Sequence, residues 1–113
     1  MRLIKSFQYA IQGILYCFRT QQNFKIHILG FIFLVVSAYY FQFEKWEFIV
    51  CLILSALVFF AELVNTAIES LVDLTTKEFS ELAKVAKDCA AGAVLVLAFT
   101  SVCVWSIIVY GKI

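Results

Sequence analysis

Apolar side chains run almost without interruption from Phe48 to Ala61, and polar ones then return at Glu62, Asn65, Glu69 and Asp73. If one helix carries both stretches, 100° per residue places these four within an arc of roughly 80°, a single polar stripe on an otherwise apolar rod. A charge facing lipid at mid-membrane costs about 2.5–3.5 kcal/mol, so the stripe must face partner helices, water, a cation or a polar substrate. The same reading along the chain predicts four elements. Residues 1–23 form an amphipathic helix, with Ile4, Phe7, Ile11, Ile14 and Phe18 on one face and Arg2, Lys5, Tyr9, Gln12, Tyr16 and Arg19 on the other. Such a helix lies at an anionic membrane surface. Three spans follow, at 26–43, 46–73 and 89–110, each long enough to cross about 30 Å of hydrocarbon. The second exceeds that need, so its last turns should project beyond the membrane.

Composition strengthens this picture. Of 113 residues, 64% are hydrophobic and none is proline, which places the chain among one-domain, all-α membrane proteins with a surface helix and three transmembrane helices. Residues 1–25 lack the compact apolar region and small-residue cleavage site of a removable signal. Cys17, Cys51, Cys89 and Cys103 are too scattered for a disulfide framework or a zinc site and read as small apolar packers. The lone His27 reads as a polar residue at the membrane interface. Small residues at 89–93 allow close helix approach.

Charge orients the spans. Every charged residue before Glu44 is basic, and the segment around Lys77, Lys84 and Lys87 holds three more cations, against one each in the Glu44–Glu47 turn and at the C-terminus. The positive-inside rule then puts the N-terminus in the cytoplasm and the C-terminus outside. Tyr39, Tyr40, Trp46, Trp105 and Tyr110 gather at the outer interface as an aromatic belt. The polar connection at 75–88 contains no Pro or Gly and should be partly helical, with Glu81, Lys84 and Asp88 at pairing distance.

The stripe restricts the chemistry. Glu62 and Glu69 lie about 10 Å apart along one face, near lysines at a cytoplasmic surface. Carboxylates suit a hard divalent cation, lysine neutralises phosphate, and a carboxylate at membrane depth becomes a stronger base on desolvation. Phosphoryl transfer to a lipid hydroxyl fits. Gly13, Gly30, Gly92 and Gly111 are isolated, however, and no phosphate-cradling glycine loop occurs. From spacing alone a cation-coupled transporter subunit and a structural membrane protein with an internal polar seam remain open. Nothing indicates nucleic-acid binding.

The run Ala61-Glu62-Leu63-Val64-Asn65-Thr66-Ala67-Ile68-Glu69, with Val72 and Asp73 and then Ala86-Lys87-Asp88, strongly resembles the prokaryotic diacylglycerol kinase family of small three-span lipid kinases. The resemblance covers almost the whole chain. It implies a homotrimer in the bacterial inner membrane, using Mg-ATP at composite sites between subunits. By position, it implies that Glu62 is the general base, that Glu69 binds the metal, and that Asn65, Glu62 and Arg2 meet the lipid. Arg2, Tyr9, Gln21, Glu69, Asp73, Glu78, Phe79, Ser80, Lys87 and Asp88 are implied at the nucleotide. One position departs from the pattern: Gln21 stands where the family has a second metal-binding glutamate, which implies weaker metal binding or, at the extreme, a catalytically impaired relative. The segment around Asn23, Phe24, Lys25 and His27 resembles the undecaprenol kinase branch, which implies undecaprenol ahead of diacylglycerol as the acceptor.

Overall fold

The computed structural model describes residues 1–113 as four helices: α1 (Arg2–Thr20), α2 (Gln22–Tyr40), α3 (Lys45–Thr75) and α4 (Glu81–Tyr110). The last three are long and apolar enough to cross a membrane. The chain is all-α.

Local chemistry sets each boundary. Helix α1 ends because Gln21 is extended, at φ −107° and ψ 110°, while its N–H still donates to the Cys17 carbonyl at 2.9 Å. Helix α2 therefore starts four residues earlier than the pattern suggests and stops at Tyr40. Residues 41–43, expected in the first span, form the turn to α3, which Gln42 completes in the left-handed region at φ 53°. What read as a free charged turn is a helix cap. Glu44 and Glu47 form a reciprocal capping box, and Glu44 also accepts from the Trp46 indole at 2.8 Å. Helix α4 starts eight residues before the expected third span, because Ser80 caps it and no Pro or Gly intervenes. Only five residues, 76–80, separate α3 from α4.

Packing is thin, as expected when lipid supplies the apolar solvent. The molecule measures 52 × 41 × 20 Å, and only 15 of 113 residues are buried, whereas Leu29, Phe33, Phe60, Leu95 and Phe99 lie exposed on the spans. Lipid tails are as apolar as these side chains, so helix association rests on van der Waals fit and polar contacts. Helices α3 and α4 run antiparallel and are joined at both ends, by Lys87 with Asp73 at 2.6 Å and by Lys112 with Glu47 at 2.7 Å. Trp105, expected in the aromatic belt, turns inward, and its indole donates to Ser37 Oγ at 2.8 Å, tying α4 to α2. Phe24, His27 and Phe31, spaced along one face of α2, all meet Phe59 of α3. The apolar stripe of α1 stays exposed at Ile4, Phe7, Ile11, Ile14 and Phe18. Only Cys17 of that helix is buried.

Candidate active site

The polar stripe on α3 forms, and it is graded. Glu62 is 1% exposed and Asn65 5%, Glu69 is half-buried, and Asp73 is exposed at the helix end. The apolar run before it places Glu62 deepest.

At its buried end the stripe holds acceptors without donors. Neither Glu62 oxygen has a hydrogen-bond partner, and neither does Asn65 Oδ1. Asn65 spends its amide on the next turn, donating from Nδ2 to Glu69 Oε1 at 3.1 Å. Stripping water from a carboxylate costs several kcal/mol unless hydrogen bonds or an opposite charge replace it. The one cationic candidate nearby is His27, whose Nε2 lies 3.8 Å from Glu62 Oε2. That is an ion-pair distance, too long for a hydrogen bond.

Beside Glu62, Thr66 and Cys17 are both bonded. Thr66 donates its only hydroxyl proton to the Glu62 carbonyl at 2.9 Å, so at the 3.2 Å contact between Cys17 and Thr66 the thiol must be the donor. This contact docks α1 against α3 beside Glu62. Burial pushes the Cys17 pKa above its ordinary value, the Thr66 bond pulls it back, and the Glu62 and Glu69 carboxylates push it up again. Cys17 packs in the interior as expected and adds a contact to Thr66, and His27 adds an approach to Glu62. Both escaped the sequence reading because their partners lie on other helices, 49 residues away in the case of Cys17 and Thr66.

A second group of candidates gathers where α3 gives way to α4. Asp73, Glu78, Phe79, Ser80, Lys87 and Asp88 line one open cavity of about 560 Å³, together with Lys77 and Lys84. Four of its charges are paired, Lys87 with Asp73 at 2.6 Å and Lys84 with Asp88 at 2.7 Å, while Lys77 and Glu78 join no ion pair. Glu81 joins no ion pair, so only the Lys84 half of the pairing expected there forms.

The remaining candidates stand apart. Arg2 and Tyr9 are exposed on α1 and make no side-chain hydrogen bond or ion pair with any other candidate; Arg2 sits about 28 Å of helix from Gln21. Gln21 is half-buried at the α1–α2 break. No three His, Cys, Asp or Glu side chains converge as a ready metal cage. Glu69 and the orphaned Asn65 oxygen nevertheless form a donor set suited to a hard cation that brings its other ligands as phosphate oxygens and water.

Fold and stripe together define a small three-span membrane protein with an acceptor-lined seam and a charged cavity at the end of the same helix. A model of the prokaryotic diacylglycerol kinase family matches residues 8–109. The chain belongs to that family, whose members are ATP-dependent lipid kinases. It is 47% identical over 103 residues to a diacylglycerol kinase of Synechocystis sp., a match covering 90% of this chain and 59% of that relative. It is 38% identical over 109 residues to an undecaprenol kinase of Bacillus subtilis, covering 96% of this chain and 88% of the relative. A diacylglycerol kinase of Escherichia coli is 28% identical over 109 residues, covering 96% of this chain and 89% of the relative.

Proposed function

We propose that this chain transfers the γ-phosphoryl group of ATP to the hydroxyl of a membrane lipid, with Glu62 as the general base. The observation that carries this is the Glu62 carboxylate, 1% exposed on a spanning helix with both oxygens unbonded. A carboxylate held there without donors is stabilised by a substrate that brings one. A primary lipid alcohol does so, and transfer of its proton to Glu62 turns the oxygen into a nucleophile.

The other residues take roles around that step. Asn65 Oδ1 offers a further acceptor to the headgroup and fixes Glu69 through its amide. The cavity lined by Asp73, Glu78, Phe79, Ser80, Lys87 and Asp88 receives the nucleotide, and Lys87 exchanges Asp73 for a phosphate oxygen. Magnesium, held by Glu69 and assisted by Gln21, would spread the charge that develops on the transferred group. Arg2 and Tyr9 are exposed on α1 and bond to none of this set within one chain. A homotrimer, in which a neighbouring subunit brings them to the nucleotide and covers the seam, accounts for their exposure. In the bacterial inner membrane the nucleotide cavity faces the cytoplasm and the C-terminus lies outside.

Undecaprenol is the first acceptor and diacylglycerol the second. The segment at Asn23 to His27 favours undecaprenol, whereas the 47% identity to a diacylglycerol kinase favours the alternative. Purified protein in mixed micelles with Mg-ATP and each lipid in turn separates them. Faster phosphorylation of undecaprenol supports the first reading, faster phosphorylation of diacylglycerol the second, and no phosphorylation of either contradicts a lipid kinase.

A further inference from the structure

A base that takes a proton in each turnover must also release it, and Glu62 has no surface of its own through which to do so. Partner subunits and lipid only remove exposure, so the way out runs through a neighbouring side chain. Helix α1 presents Cys17, equally buried and committed as a donor to Thr66. Helix α3 itself offers Glu69, two turns further on and bonded to Asn65, and α4 offers Lys87, engaged with Asp73. From α2 comes His27, which combines proximity with access: Nε2 lies 3.8 Å from Glu62 Oε2 and its side chain is 18% exposed.

The ring is also held in place. It meets Phe59 edge-on at 6.4 Å and 84°, between Phe24 and Phe31, which contact the same ring at 5.3 and 6.5 Å. This row fixes the face of α2 that carries His27. Proton transfer needs the 3.8 Å between Nε2 and Oε2 to shorten by roughly 0.6 Å or more, to the limit of about 3.2 Å for a hydrogen bond. Six residues beyond the Gln21 break, His27 sits about 9 Å into the helix path, near the interface. Imidazole exchanges protons near neutrality, and its two nitrogens allow one to accept while the other donates.

We propose that His27 is a positioning residue that orients the Glu62 carboxylate and relays its proton to water, an inference that rests on Glu62 being the base. In the step, the lipid oxygen bonds to the γ-phosphorus as the bond from that phosphorus to the bridging oxygen of ATP breaks, and ADP leaves with the electron pair. The hydroxyl proton passes to Glu62 Oε2. It then moves to Nε2 of a ring that carries its own proton on Nδ1, while Nδ1 releases that proton to interfacial water. Glu62 is then a free carboxylate again, and exchange of the ring proton with water returns His27 from its Nε2–H to its Nδ1–H tautomer before the next turnover.

The test compares wild type, His27→Gln, His27→Ala and Glu62→Gln as full-length protein in mixed micelles, reading kcat and KM for ATP. The relay predicts that both His27 variants lose about tenfold or more in kcat while KM for ATP stays within about twofold. Added imidazole should restore several-fold activity to His27→Ala, and none to Glu62→Gln. A His27→Gln enzyme within about twofold of the wild-type kcat, or a His27→Ala enzyme that imidazole does not rescue, overturns the proposal. If His27→Ala does not assemble, the kcat of His27→Gln decides alone. An inactive Glu62→Gln beside a normal His27→Gln removes the relay and keeps the base; an active Glu62→Gln removes the base itself.

Discussion

The two polar regions of α3 are opposites. Around Glu62 and Asn65 there are buried acceptors with no donors, while around Asp73, eleven residues further along from Glu62, Lys87 pairs with Asp73 and Lys84 with Asp88 within reach of solvent. In the first region the cost of a desolvated carboxylate is borne by the fold and recovered when a donor arrives. In the second, water screens the ion pairs, and only Lys87 with Asp73 spans the loop, so a phosphate can replace a carboxylate partner at little cost. One helix thus carries a buried region of unbonded acceptors and an open region of ion pairs, and in the proposed reaction the first takes a hydroxyl and the second a phosphate. Their separation follows from depth.

The cavity end gives the larger of two effects on substrate concentrations. Lys87→Met removes the cation proposed to bond phosphate, so KM for ATP should rise by roughly tenfold or more. Asp73→Asn, in the same ATP titration, removes only the exposed partner and should shift KM by less than about fivefold. Equal losses in the two variants would mean that the Lys87–Asp73 pair acts as one rigid unit, against the contrast drawn here.

Gln21→Glu gives a smaller change at the seam. It adds a carboxylate near the cation, partly offset by repulsion from Glu69 before metal arrives. The magnesium concentration for half-maximal activity at fixed ATP should fall a few-fold, on the scale of about 1 kcal/mol. An unchanged or higher midpoint would remove Gln21 from the metal site.

The spans and the stripe were legible in the sequence because both are properties of single helices. Periodicity of 3.6 residues placed Ile4, Phe7 and Ile11 on one face and Glu62, Asn65, Glu69 and Asp73 on another, and burial within the chain falls along that stripe from Glu62 to Asp73. Features made between helices were not legible. The Cys17–Thr66 bond, the approach of His27 to Glu62 and the inward turn of Trp105 depend on which faces pack, which no local pattern encodes. Boundaries shifted for a related reason: hydropathy marks where a helix enters lipid, whereas Ser80 and Glu44 mark where it starts. The loop candidates Glu78, Phe79 and Ser80 share a cavity with Lys87 because α4 begins directly after them.

The central claim, that Glu62 is the base, is tested most directly by Glu62→Gln, which keeps the shape and removes the proton acceptor. Turnover should fall by about 10²- to 10⁴-fold while ATP still protects the protein against thermal unfolding as it does the wild type. Turnover at the wild-type level in a variant that binds ATP normally would contradict the account.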